Sequence, residues 1–193
     1  MNNKQLAEIL KKHVYILSSQ IGDRNVFNYE NLKKAAFYIS EKFIYAKQAK
    51  KNKEKIKAVI ILEMVGYYTD APHSQSFPPF LNLFYPHQGN FICIVGNYKS
   101  KNLARKIYQS FKKTSFPAQI FIGSSIVVGV DFSDHWSFWK EGFPAVMLTD
   151  TAFYRNPYYH TEEDTYEKLN YKKLREFFLA LEKVLVDLDK QEI

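Results

Sequence analysis

The sequence predicts an α/β layered domain with a mixed, mostly parallel sheet. Three observations carry the prediction. Apolar, β-branched runs recur at "AVIILEM" (Ala58 to Met64), "FICIVG", "AQIFIGSSIVV" and "PAVMLT" (Pro144 to Thr149). Amphipathic stretches of helical period lie before, between and after these runs. With 193 residues the chain is long enough for one sizeable domain and short for two. Strands that alternate with helices bury their sheet under helical layers, which is the α/β arrangement.

In chain order, Leu6, Ile9, Leu10, His13, Ile16 and Leu17 fall at i, i+3, i+4 and i+7 and mark a first helix. His13 sits on its apolar stripe, where a hydrogen-bonded core residue is expected rather than a ligand. After a break at "GDRN", a second helix is expected from about Tyr29 to Lys50, with Leu32, Ala35, Ala36, Ile39, Phe43 and Ala46 in register. "AVIILEM" reads as a strand buried on both faces and closing on Glu63. Tyr67 to Pro86, rich in proline, serine and aromatics, reads as a long excursion. Ser100 is expected to cap a helix carrying Leu103, Ile107 and Phe111, and Asn170 a last helix with Leu174, Phe177, Phe178, Leu181, Val184, Leu185 and Leu188 on one face.

Composition narrows the function. No apolar run is long enough to span a bilayer. The start, "MNNKQLAEILKKHVYILSS", shows neither an apolar signal core nor a cleavage site, so it reads as mature protein and a cytoplasmic location is expected. The net charge of +7 comes mostly from lysine, with arginine only at Arg24, Arg105, Arg155 and Arg175. The densest basic stretch, "KQAKKNKEKIK", holds no aromatic residue on which a base could stack, so it reads as a solvated helix end and loop; neither nucleic acid nor membrane is expected as a partner. The single cysteine, Cys93, lies in an apolar run and reads as a buried structural thiol.

Three features bear on chemistry. Glu63 closes a buried strand, and in open α/β sheets ligands gather at the carboxyl ends of strands; a strand-end salt bridge is the competing reading. Asp134 and His135 form a pair that either orients an imidazole near a site or serves structure alone. His160 follows "FYRNPYY" and precedes "TEEDT", a context of proline and side-chain turns that holds the imidazole rigidly, as a metal ligand requires.

Taken together, "LEMVGYYTD", "LFYPHQGNF" and "SDHWSFWKEGFPAVMLTDTAFYRNPYYHTEEDT" resemble the C-terminal half of zinc-dependent metallopeptidase family twenty-eight, which comprises aminopeptidases, glutamate carboxypeptidases and glutaminyl cyclases. The likeness runs from about Ile44 to Leu188, and residues Lys12 to Phe43 resemble the stretch that precedes the catalytic core. The resemblance implies a three-layer α/β/α sandwich in one peptidase-like domain, with N-terminal helices over residues 1–50 and the C-terminal half of the core over 51–193. It implies that Glu63 is a carboxylate ligand to one zinc and His160 the imidazole ligand to the other. By the same likeness Asp134 and His135 support the metals, and Asp164 steadies the histidine loop.

The chain also departs from the family. Its relatives carry a His-x-Asp strand end, an aspartate bridging two zinc ions, and a Glu-Glu that supplies the general base and a further ligand. Here "ISEKF" passes directly into "IYAKQAKKNKEKIKAVIILEM", and none of these motifs is present, so no catalytic residue is assigned. Glu162 and Glu163 lie in a turn beyond His160 and are not a replacement, while His73 and His87 read as solvent-facing loop residues. The expectation is a zinc exopeptidase-like domain that would cleave N-terminal peptide bonds by metal-activated water, internally shortened, with weak or absent zinc and no turnover. The alternatives are a non-catalytic interaction module or gene remnant, and a glutaminyl cyclase-like acyl transferase. Loss of interior strands would leave sheet edges unpaired, from which self-association is expected.

Overall fold

Each apolar run forms a strand: β1 (Val59–Leu62), β2 (Ile92–Gly96), β3 (Ala118–Ile122) and β4 (Ala145–Thr149). The computed structural model describes residues 45–191. The strands lie in the order β1-β4-β2-β3. β1 and β4 run parallel, as do β2 and β3, and the two pairs meet where β2 and β4 run antiparallel. The sheet is therefore mixed. The run "AQIFIGSSIVV" is extended only to Ile122; turns at Val127 N to Ser124 O and Val130 N to Val127 O take over beyond Gly123.

Three helices accompany the strands: α1 (Lys101–Lys112), α2 (His135–Glu141) and α3 (Tyr171–Asp189). Residues 45–51 are also helical, in agreement with the end of the expected second helix; the first helix, His13 and the rest of the second lie outside the described residues. Asn170 caps α3 as expected, its side-chain oxygen accepting from Lys173 N at 3.0 Å. Ser100 does not cap α1 with its side chain. Its hydroxyl instead accepts from the N–H of Ala145 at 3.1 Å, a contact with the start of β4 that local sequence does not reveal.

Alternation along the strands sorts the core into two faces. On one, Ile92, Ile94, Val146 and Leu148 pack beneath α1 and α3 through Leu103, Ile107, Phe111, Phe177 and Val184. On the other, Ala145 packs with Phe138 of α2 and with Ala46, while Val59 and Ile61 flank them. Helices thus cover both faces in an α/β layered architecture. No described helix is long and apolar enough to cross a membrane.

β1 departs from the expectation of a doubly buried strand. β2 and β4 are buried throughout, but the residues of β1 are half-buried and Leu62 is 39% exposed. The cause is position: β1 pairs with β4 alone and forms an edge of the described sheet. The excursion from Tyr67 to Pro86 contains a single short 3-10 turn, Leu81–Leu83, and otherwise no regular element. Its fixed conformation comes from the buried polar network at the candidate site.

Candidate active site

Two carboxylates close neighbouring strands. Glu63 follows β1 and Asp150 follows β4, and because these strands are parallel both acids emerge at the same carboxyl end. Asp150 is fully buried. One of its oxygens accepts from Gly66 N at 3.1 Å and Tyr67 N at 2.8 Å, and the other from Ala152 N at 3.0 Å. Burial pushes its pKa up to about 7, against the opposing pull of Arg155 and of these three N–H donors. Met64, Thr151 and Ala152 take left-handed φ values of 50°, 77° and 45°. Such a conformation costs a non-glycine residue roughly 1–3 kcal/mol and persists only where the surroundings enforce it. The Asp150 clamp on both adjoining loops is that enforcement.

Arg155 extends the network. Its Nε donates to Gln75 Oε1 at 2.8 Å and its Nη1 to Phe91 O at 2.8 Å, while the guanidinium lies 4.6 Å over the Phe91 ring. Gln75 Nε2 in turn donates to Thr151 Oγ1 at 2.9 Å. The excursion, the start of β2 and the loop after β4 are thereby tied to one cation. The arginine side chain needs a glycine beside it, because a Cβ at Gly89 would come within 2.8 Å of it.

The sequence-flagged residues fall around this framework. Glu63 is half-buried, and its Oε2 accepts from Ser133 Oγ at 2.9 Å. His160 is exposed, has a left-handed φ of 60°, and stacks on the Tyr159 ring with centroids 3.9 Å apart. The Tyr159 hydroxyl pKa is raised by burial first and then by the charges of Glu63, Asp164 and Asp150. Tyr159 therefore stands among the acids, with His160 on its ring. Asp164 accepts from Asn156 Nδ2 at 3.0 Å, bracing the ends of the 156–164 loop that carries the histidine.

Asp134 and His135 stand further back. Asp134 directly precedes α2, and its carbonyl accepts from Ser137 N. His135 is completely buried, with Nε2 2.7 Å from Val130 O and its ring edge-on to Trp139 at 4.4 Å. Burial lowers its pKa, so a neutral ring donates from Nε2 to that carbonyl. His135 braces the 127–130 turn, and the hydroxyl of Ser133 reaches Glu63.

Between the excursion and the sheet lies a cleft with a cavity volume of about 110 Å³. Phe91, Val95, Phe121, Val130 and Met147 make it predominantly apolar, and Glu63 and Tyr159 contribute polar groups to its lining. Cys93 also faces it, with a buried thiol whose pKa is pushed up to about 12, so it is no nucleophile. Of the five flagged residues, only Glu63 lines the cleft.

A structural zinc takes four protein ligands and a catalytic one three. Among the described residues no three His, Cys, Asp or Glu side chains are grouped so as to hold a metal ion. Glu63 and His160 flank Tyr159 but find no third partner of that kind. Glu162 and Glu163 are exposed in the turn, and His73 and His87 lie on the exposed excursion with ring centroids 5.9 Å apart. The described residues therefore do not fit a resident zinc. The buried trio of Asp150, Arg155 and Gln75 was missed in the sequence, although Asp150 closes a buried strand just as Glu63 does.

The family model for Peptidase family M28 matches residues 35–185. The protein YfbL of Escherichia coli (strain K12) is 38% identical over 140 residues, which cover 72% of this chain and 43% of YfbL. Among solved structures, the LapA aminopeptidase of Legionella pneumophila superposes with a TM-score of 0.57 at 19% identity, covering 80% of this chain and 37% of LapA. BSAP, a zinc aminopeptidase from Bacillus subtilis, gives a TM-score of 0.55 at 17% identity, covering 80% of this chain and 34% of BSAP. These two likenesses establish a shared fold, and the chain spans less than half the length of each of the three relatives. On the match to residues 35–185, the chain belongs to Peptidase family M28.

Proposed function

We propose that the chain is an aminopeptidase-like domain whose metal site is incomplete, so that it does not hydrolyse peptides by itself. One observation carries the reading: Glu63 and His160 flank Tyr159 near the carboxyl end of β1 and β4, with no third ligand grouped with them among the described residues. The names of LapA and BSAP support an aminopeptidase reading, and the apolar cleft beside Glu63 suits the hydrophobic side chain of a peptide N-terminus. Zinc would supply a water activated near neutral pH, but two ligands hold it weakly. Loss of a general base removes about 10²- to 10⁴-fold in rate. A reducing, cytoplasmic setting suits a chain whose one cysteine is a buried thiol.

The test is hydrolysis of leucyl p-nitroanilide by the purified chain, with added zinc and then with a chelator. No chelator-sensitive release of p-nitroaniline is expected. Chelator-sensitive turnover that tracks the protein through purification would overturn the reading.

A further inference from the structure

The helical residues 45–51 and the turn after them carry a proposal that goes beyond the reading of the site and does not depend on it. The helix seats on the sheet through Ala46, which packs with Phe138 and Ala145, and through the Tyr45 ring, edge-on to Phe138. At its end Glu54 N donates to Ala49 O at 2.9 Å and Lys53 N to Lys50 O at 3.1 Å. This pair of bonds is the Schellman motif, whose left-handed residue is usually glycine. Here it is Lys53, with a φ of 56°. The helix end is thus fixed, and Lys47, Lys50, Lys51, Lys53, Lys55 and Lys57 are all exposed on it and on the segment that follows. Against these six lysines, residues 45–57 hold one acid, exposed Glu54, which accepts from the Tyr45 hydroxyl and from Asn52 Nδ2, each at 3.4 Å. The stretch alone is therefore +5, in a chain of +7. Residues 1–44 bring no compensation, because they carry seven Lys and Arg against four Asp and Glu. Lys50 lies 5.8 Å over the Phe143 ring, beside the last turn of α2, where Lys140 and Glu141 offset one another.

We propose that this patch binds the anionic surface of a lipid bilayer and holds the domain there without entering the hydrocarbon. Clusters of about four to eight basic residues attract acidic headgroups, and each lysine adds to the attraction within a Debye length of the surface. Two features favour a bilayer over a nucleic acid. The patch has no arginine to fork onto single phosphates. The aromatic rings beside it are already engaged, Tyr45 against Phe138, Phe143 under Lys50, and Trp136 under Lys140 at 3.5 Å, so none presents a stacking platform for bases. Sequence alone reads the stretch as a solvated helix end and expects no membrane partner. The fixed turn changes that expectation, because a left-handed lysine keeps a charge, at some backbone strain, where glycine would sit freely.

Co-sedimentation of the full chain with vesicles tests this. At low salt the wild type is expected to bind vesicles of phosphatidylcholine containing one third phosphatidylglycerol, to leave pure phosphatidylcholine unbound, and to be released by high salt. Lys51→Gln, Lys53→Gln and Lys55→Gln combined should weaken binding roughly a hundredfold, about fivefold per lysine. Lys112→Gln, Lys172→Gln and Lys183→Gln combined remove the same charge from exposed positions of α1 and α3, across the sheet, and should leave binding within about twofold. Lys53→Gly separates charge from folding: binding should fall about fivefold while the urea midpoint holds or rises, since glycine relieves the left-handed backbone. Absence of binding to the anionic vesicles at low salt overturns the proposal, as does equal binding to both kinds of vesicle. It is overturned too if the patch triple binds like the wild type or the control triple binds as weakly as the patch triple. Tighter binding to a DNA or RNA oligonucleotide than to anionic vesicles at equal phosphate would assign the patch to nucleic acid instead.

Discussion

Replacing Arg155 by methionine keeps an apolar stem of similar reach and removes the guanidinium. Two charge-assisted hydrogen bonds of 2.8 Å are lost, to Gln75 Oε1 and Phe91 O, together with the stacking over Phe91. Each such bond contributes about 1.5–3 kcal/mol; the change leaves Phe91 O without this donor and Gln75 Oε1 with the Thr151 hydroxyl at 3.3 Å, and it removes a cation that offsets the burial of Asp150. Against this, Arg155 is itself buried with Nη2 unpartnered, and relieving that burial returns part of the loss. A net destabilisation of about 3 kcal/mol follows, near the lower end of the range for breaking a buried charged contact. For a chain of this size it lowers the melting temperature by roughly 6–12 °C. Urea unfolding followed by circular dichroism measures the loss directly. A loss below about 1 kcal/mol would refute the idea that the arginine ties the excursion to the sheet. Arg155→Lys should not rescue, because lysine lacks the fork that reaches both acceptors at once.

Other outcomes follow from the same geometry. Since Asp150 titrates near 7 in the fold and near 4 when unfolded, the native chain retains a proton that the unfolded chain has released. Stability should therefore fall as the pH rises from about 4 to about 7, and urea midpoints across that range should show the slope in the wild type and not in Asp150→Asn. Phe177 is fully buried and packs on Phe111 and Phe116, so Phe177→Ala should cost about 3–5 kcal/mol by the same assay. The Cys93 thiol should stay unlabelled by a thiol reagent in native buffer and react once urea unfolds the chain, with labelling and loss of circular dichroism coinciding.

What was legible in the sequence was local. Each β-branched run became a strand because such residues fit a pleated, buried surface, and Asn170 caps α3 because its acceptor lies within one turn. The failures are long-range. Ser100 precedes a helix as a cap would, yet its hydroxyl serves β4, forty-five positions away. "AVIILEM" has the apolar continuity of a central strand, but centrality depends on what lies beside it, and β1 is an edge. Arg155 is legible in the sequence only as one of four arginines, because its partners Gln75 and Phe91 lie 80 and 64 positions away. For the site, motif resemblance brought Glu63 and the His160 loop to attention. Only the fold shows that Ser133 donates to Glu63.

The central claim is that the side chains among the described residues do not make up a peptidase metal site. Its most direct test is zinc content by atomic emission after the purified chain is incubated with zinc and dialysed exhaustively. The account predicts substoichiometric metal, unchanged in His160→Ala. Near-stoichiometric zinc that survives dialysis and is lost in His160→Ala would contradict it.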